Sequence, residues 1–413
     1  MTTFREIETP RQQSLWSRDL TLFLTARTVS ALGDAMLPVA LTVVMLDLGY
    51  GASGVGYALA AWMAPFALLV LFGGVLADRY SPRRVMIHAD NVRLVVQAVL
   101  AVELFGGDVP LWHLLVGQAV SGAAAALFQP GVMGIMAQVA TDVQRAGAVL
   151  RTGESLARMA GPVLSALCVA LSGAGASFAI NGATFGVSAL CLTALRVSAA
   201  PPARKAAEST WRSLVTGWRE FRSRRWLWMV ILVWAVNGLL VFGPQLPLLA
   251  TVIVGEHGSR GYAVVEAALG TGMVAGGLVA LRLRPARPLA AGLLAMLPWA
   301  LPPLATAAGW PLAVVAAASA VAGTGWAFWS VMWASTVATH VPAGVVNRVY
   351  AYDVAGSVLS IPIGRALAGP VGELTGNANL LAASAWIGVA GCLVLLSARP
   401  VRDLRRIETP VAG

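Results

Sequence analysis

Charge is what this chain of 413 residues has least of: 12% of its residues are Asp, Glu, Lys or Arg, against about 25% in an average soluble domain. That excludes an ordinary soluble protein, and 58% hydrophobic residues with a mean hydropathy of +0.74 agree. Cysteine is nearly absent. Cys168, Cys191 and Cys392 sit singly inside apolar runs, so no disulfide framework or metal-spaced cluster can be read. Four scattered histidines give no pair at ligand spacing, and no metal is expected. There is no Walker-type phosphate loop, which removes an ATP-driven machine. No nucleophile has a base beside it, which leaves an enzyme without support. Strict apolar-polar alternation is missing too, and with it a membrane β-barrel.

What the chain has is long apolar runs. A helix needs about 20 apolar residues to cross a bilayer, and twelve such stretches can be marked: 20–46, 54–77, 84–106, 111–138, 148–171, 175–196, 226–253, 262–281, 288–307, 311–339, 347–372 and 378–398. The first is too long for a signal-peptide core and lacks a small-residue cleavage site, so it reads as an uncleaved first membrane helix. Net charge is +10, and its distribution decides between nucleic-acid binding and membrane topology. Of 29 Lys and Arg, 24 fall in the two tails and in alternate connections, Arg260 alone falls in the opposite ones, and Arg27, Arg93, Arg158 and Arg365 lie inside helices. By the positive-inside rule both termini are cytoplasmic, and no nucleic-acid partner is expected.

This predicts an all-α integral membrane protein of twelve transmembrane helices in two six-helix, pseudo-symmetric bundles. Its parts are a cytoplasmic tail at 1–19, a first bundle at 20–196, a basic linker at 197–225, a second bundle at 226–398 and a tail at 399–413. The linker's end, Trp211 to Trp228, alternates aromatics with arginines and suits either a surface helix or a solvated connection. An internal echo supports the duplication: Gly73 to Arg84 aligns without gaps with Gly276 to Arg287, 203 residues later. Two six-helix repeats around a central site are a common transporter plan.

These residues resemble the major facilitator superfamily. Gly74, Leu76, Ala77, Asp78 and Arg79 match the family's signature between helices two and three, with Arg83 at a basic position and Ser81 and Pro82 departing from it. Asp90 and Arg93 look like the charged pair accompanying that motif, and Gly161-Pro162 like the core of the antiporter motif in helix five. Arg27, Ser30, Gly33 and Asp34, Phe128-Gln129-Pro130, and Arg348 with Pro362, Gly364, Gly369 and Pro370 are similar to the macrolide-efflux and enterobactin-exporter-like branch. The resemblance implies alternating access and proton-driven export of a small amphipathic molecule such as a drug, antibiotic or siderophore-like metabolite. Proton-coupled uptake and a non-transporting sensor on the same fold are the alternatives. The expected partners are that molecule, protons and the lipid bilayer. The expected state is a monomer in a bacterial cell membrane, with the proton gradient and no cofactor as energy source.

Individual residues follow from the expense of charge in a bilayer. Asp34, with Glu154 and Asp353, is a candidate for proton coupling; the alternative for Asp34 is a structural pair with Arg27 or another buried arginine. Glu154 and Arg158 form an i, i+4 pair, either packing or gating. Gly74, Asp78, Arg79, Arg83, Asp90 and Arg93 form the expected cytoplasmic gate, Asp78 accepting hydrogen bonds at a neighbouring helix N-terminus. Arg27, Arg158 and Arg365, the amides Gln118, Gln129, Asn181, Asn237 and Gln245, and the tryptophans Trp326, Trp329 and Trp333 on one face of helix ten are the cavity candidates; packing between helices is their other reading. Glu103 and Glu266 are expected to be solvated.

Overall fold

The computed structural model describes residues 16–79, 81–107, 109–197, 222–341 and 359–406, with residues 71–79 described as backbone. Among the described residues it holds helices and no strand. In order they are α1 (Arg18–Asp47), α2 (Gly51–Arg79), α3 (Pro82–Gly106), α4 (Leu111–Val139), α5 (Val143–Ser172), α6 (Ala174–Thr193), α7 (Arg225–Asn237), α8 (Gly243–Arg282), α9 (Pro288–Met296), α10 (Leu301–Ala307), α11 (Leu312–His340), α12 (Ser360–Thr375), α13 (Asn377–Ser397) and the short α14 (Arg399–Arg402). Helix starts carry local signals: Ser17 Oγ accepts from the Leu20 amide at 3.1 Å, Asp142 accepts from the Arg145 amide at 3.0 Å, and Pro82 opens α3.

Among the described residues, ten helical runs are long and apolar enough to cross a membrane. One of them, Arg225–Arg282, has 58 residues, about 87 Å at the helical rise of 1.5 Å per residue, which is far more than one crossing needs. It is broken by Gly258, whose φ of 69° and ψ of 179° are not helical, at the place where the sequence puts a connection. A π-turn, Gly238–Phe242, joins α7 to α8. Pro244 supplies the cause, because it has no N–H to give and its ring crowds the preceding turn. Likewise a 3-10 turn, Leu297–Ala300, joins α9 to α10 in the proline-rich stretch of Pro298, Pro302 and Pro303.

The ends of the bundle can be told apart. At one of them Ser17 Oγ donates to the Val139 carbonyl at 3.4 Å, the Arg196 amide donates to Asp19 at 3.1 Å, and Arg83 donates to the carbonyls of Leu192, at 2.8 Å, and Thr193. That end gathers the starts of α1 and α3 and the finishes of α4 and α6, so it is called the terminal face here. Contacts between the helices before the linker and those after it cluster in the other half of the molecule. Ser53 Oγ donates to Glu373 Oε1 at 2.7 Å, Gly369 packs on Ser53, Gly56 on the Arg365 carbonyl, and Val39 and Ala166 share a core with Ala250, Ile253 and Tyr262.

Small residues make the closest approaches. A side chain at Gly272 or Gly276 would meet the backbone of Ala320 or Thr324, so this pair lets α8 lie directly on α11. Gly182, four residues before Gly186 on α6, faces the α3 backbone and Gln97.

Some expectations fall elsewhere. The linker to residue 221 is outside the described residues, as are Arg348 and Asp353. Trp226 is not at a surface but buried, in a core with Trp234, Leu289 and Trp329. Glu103 is not simply solvated: its carboxylate meets His113 Nδ1 at 2.9 Å across α3 and α4. Trp112 and Trp310 are exposed at helix ends, as an interfacial belt requires, whereas Trp386, read from the sequence as near a helix end, is exposed at the middle of α13.

Gly276→Leu should lower the thermal unfolding temperature and the yield of monodisperse protein, overpacking of this kind costing about 1–3 kcal/mol. The adjacent Gly277→Leu, at a position with no heavy atom within 4 Å of the added carbon, should leave both unchanged.

Candidate functional site

Two cavities contain most of the charge held inside the helices. The first, of about 680 Å³, lies between α1, α4 and α5 and is lined by Arg27, Asp34, Gln129, Arg151, Glu154 and Arg158 among others. Its walls run down to Gly147 and Arg151, within three turns of the start of α5, so it faces the terminal half.

At its wall two guanidiniums meet three carboxylates. Arg27 Nη2 lies 2.5 Å from Glu154 Oε1. Arg93 Nη2 donates to Asp34 Oδ1, and Arg93 Nη1 is 3.5 Å from Asp90 Oδ1, one turn away on α3. Both cations also lie over aromatic faces, Arg93 at 3.6 Å from the Phe185 ring centre and Arg27 at 5.1 Å from that of Phe128. Ring faces give partial compensation for lost water. Arg93 is 2% exposed and Asp90 not at all, whereas the Asp34 side chain is 37% exposed to the cavity. Asp34 is therefore the carboxylate of the Arg93 pair that solvent can reach. Three carboxylates stand against two buried guanidiniums, and the more exposed Arg151 and Arg158 line the same cavity. Arg158, with its head 59% exposed, is 3.9 Å from Glu154.

This arrangement re-pairs the residues that spacing had set together. Asp34 pairs with Arg93, not with Arg27, and the close partner of Glu154 is Arg27, with Arg158 secondary. The reason is geometric. Side chains on neighbouring helices can meet head to head, while two turns along one helix separate Arg27 from Asp34 by about 10 Å. Gly161 makes the meeting possible, because a side chain there would strike Ala35 on α1; Pro162 beside it is buried in α5.

The expected gate is divided in the same way. Arg93 and Asp90 belong to the charge cluster rather than to a loop latch. Arg83 caps the last carbonyls of α6, where its charge complements the helix dipole, and so ties α3 to α6 among the helices before the linker. Gly74, Asp78 and Arg79 lie in the helical backbone of α2, with side chains outside the description.

The second cavity, of about 270 Å³, is enclosed by α8, α10, α11 and α12 and the turns that join α7 to α8 and α9 to α10. Phe242, Tyr262, Trp299 and Trp326 supply rings, and Gln245, Glu266 and Arg365 supply polar groups. Gln245 is fixed at both ends, donating to Ser384 Oγ at 3.2 Å and accepting from Trp299 Nε1 at 2.9 Å.

Of the three tryptophans expected as a wall, only Trp326 lines this cavity. Trp329 is 2% exposed and packs at 5.1 Å from Trp234 and 5.8 Å from Trp333, so these two are core. Gln118 and Asn181 are fully buried and line neither cavity. Asn181 serves the contact of α6 with Gly33 on α1, and Asn237 packs on Gly391. Gln129 is exposed at the first cavity.

Glu266 is not simply solvated, as its place near the end of a span suggests. It faces the second cavity with its carboxylate against the Tyr262 hydroxyl. The available signal was spacing: Tyr262 and Glu266 stand at i, i+4 on one helix face.

Arg27→Gln should destabilise the fold by about 3–5 kcal/mol, the usual penalty for leaving one partner of a buried pair alone. Adding Glu154→Gln should restore part of the loss in a thermal melt. A double variant that melts no higher than the single one would refute the coupling.

The model of the Major Facilitator Superfamily matches residues 23–365. The methylenomycin A resistance protein of Bacillus subtilis is 29% identical over 186 residues, 43% of this chain and 38% of the relative. The uncharacterized MFS-type transporter YvqJ of the same organism is 24% identical over 148 residues, 35% of each chain. The alignments thus span little more than a third of these relatives' lengths. Among solved structures, an auto-inhibited peptide transporter of the POT family superposes with a TM-score of 0.73 at 14% identity, covering 96% of this chain and 99% of that one. A bacterial homologue of the lysosomal transporter Spinster, in an inward-facing and unoccupied conformation, gives 0.65 at 14% identity, covering 95% and 98%. With the helical plan, the charged cavity and a family match over most of its length, the chain belongs to the Major Facilitator Superfamily.

Proposed function

We propose that this protein is a proton-coupled exporter of a small amphipathic molecule, working by alternating access. The observation that carries the reading is the cluster of Asp34, Asp90 and Glu154 around Arg93 and Arg27, with Asp34 open to the first cavity. Carboxylates held inside the spans are costly and mark the places where a transported proton can be carried. Asp34 is the accessible member, and protonating it weakens its hold on Arg93. The α1–α3 contact then has two arrangements, which is what coupling needs.

The rest of the assignment follows the charge distribution. Twelve spans form two six-helix halves, with the break at Gly258 and α12 completing the count. The basic terminal face is cytoplasmic, so the structure stands open inward, closed at the outer half by the contacts around Ser53, Gly369 and Glu373. A bacterial cell membrane and a monomer are the setting. The direction, export rather than uptake, draws support from the resistance protein among the relatives.

In inside-out vesicles with an acid interior, the protein should accumulate its cargo, and a protonophore should collapse the accumulation. Asp34→Asn should keep cargo binding and abolish gradient-driven movement, since Asn holds the shape but carries no proton. Unchanged coupling in that variant would sink the assignment of Asp34.

A further inference from the structure

The second cavity holds an unmet requirement. Arg365 projects into it from α12, and no carboxylate among the described residues pairs with its guanidinium. Its Nε has no hydrogen-bond partner although the atom is buried. A guanidinium has five N–H donors in a fixed fork, and leaving them unmet inside a membrane protein is expensive. Glu266 is in the same cavity yet is not the missing partner. Its carboxylate lies against the Tyr262 hydroxyl, and Tyr262 lines the cavity with both charges.

Around these charges the walls are rings in mutual contact. Trp299 and Trp326 lie 5.3 Å apart between centres, and Phe242 is 5.8 Å from the first and 5.4 Å from the second. The Trp299 ring is held in place by its N–H bond to Gln245. A pocket of rigid rings with few, separated polar groups is built to orient a flat molecule. The two charges then fix which groups the molecule carries: oxygens of an anion for the Arg365 fork, and a donor for the Glu266 carboxylate.

We propose that the second cavity is the cargo site, and that the cargo is a small aromatic molecule bearing an anionic group, held by Arg365, and a hydrogen-bond donor directed at Glu266. Calling the occupant cargo rests on the exporter reading above. The cavity volume of about 270 Å³ suits a one- or two-ring compound rather than a macrocycle.

Three probes of one shape separate the contributions: 6-hydroxy-2-naphthoate carries the anion and a donor, 2-naphthoate the anion alone, and 2-naphthol a donor alone. Isothermal titration calorimetry on the full chain in detergent should rank them in that order, the hydroxy acid about tenfold or more tighter than 2-naphthol, as one charge-assisted hydrogen bond predicts. Arg365→Gln should bring the hydroxy acid down to the affinity of 2-naphthol and leave 2-naphthol unaffected. Trp326→Ala should weaken all three. If Arg365→Gln does not fold, Arg365→Lys, which keeps the charge and loses the fork, should give an intermediate preference. Equal binding of 2-naphthol and the hydroxy acid, a preference that survives Arg365→Gln, or no binding of any probe overturns the proposal. Movement of 6-hydroxy-2-naphthoate in acid-interior, inside-out vesicles then separates the two readings. Ranked binding without gradient-driven movement would defeat the exporter and spare the anion site, whereas gradient-driven movement without the ranking would do the reverse.

Discussion

The contact between Arg93 and Asp34 governs how the helices before the linker are arranged. Arg93 sits 2% exposed on α3, where a bare guanidinium has no water to solvate it, so α1 has to come close enough to bring a carboxylate. Ring faces at Phe185 and Phe128 supply the rest of its surroundings and those of Arg27. Packing follows from that demand. Gly161 admits α1 against α5 at Ala35, and Gly33 admits α6 through Asn181 and Thr184. Small residues on both sides of α1 thereby hold Asp34 within reach of Arg93 and Arg27 within reach of Glu154.

The contacts across the molecule have a different character. Around the seam, α2 and α12 approach through Gly56 and Gly369, with Ser53 donating to Glu373, and Thr271 Oγ1 donates to Met159 Sδ at 3.5 Å between α8 and α5. Hydrophobic cohesion there comes from small side chains, Val39, Ala166 and Ala250, with Ile253 and Tyr262 behind them. Glycine and alanine contacts separate and re-form without stranding large apolar groups, and one exposed hydrogen bond contributes about 1 kcal/mol. The charged cluster, by contrast, lies entirely within the helices before the linker, so it can survive a separation at the seam intact.

The sequence was legible where the physics is one-dimensional. The length of an apolar run, the side on which arginines fall and the positions of prolines set the helices, and all were readable by counting. Charges inside the runs were also conspicuous: Arg27, Asp34, Arg93, Glu154, Arg158 and Arg365 each line a cavity or join the charge cluster, while Asp353 lies outside the described residues. What could not be read was who meets whom. Pairing along one helix is visible in spacing, and spacing favoured Glu154 with Arg158, while the close partner of Glu154 came from another helix. The tryptophans of α11 share one face, yet that face is wide enough to put Trp326 in a cavity and Trp329 in the core. Glu266 escaped because a carboxylate in the outer part of a span looks solvated until the helices around it are known.

The π-turn at Gly238–Phe242 carries a consequence beyond local geometry. One inserted residue rotates everything after it by about 100° relative to an uninterrupted helix; Phe242 and Gln245 line the second cavity, and α1 has no such turn. A gene duplication that began with two interchangeable halves would lose that interchangeability at this single insertion. Thereafter the rings and Arg365 of the second cavity and the carboxylates of the first occupy separate helices. Changes in one set then leave the other untouched, which is the condition under which a transporter can acquire a new cargo without rebuilding its engine.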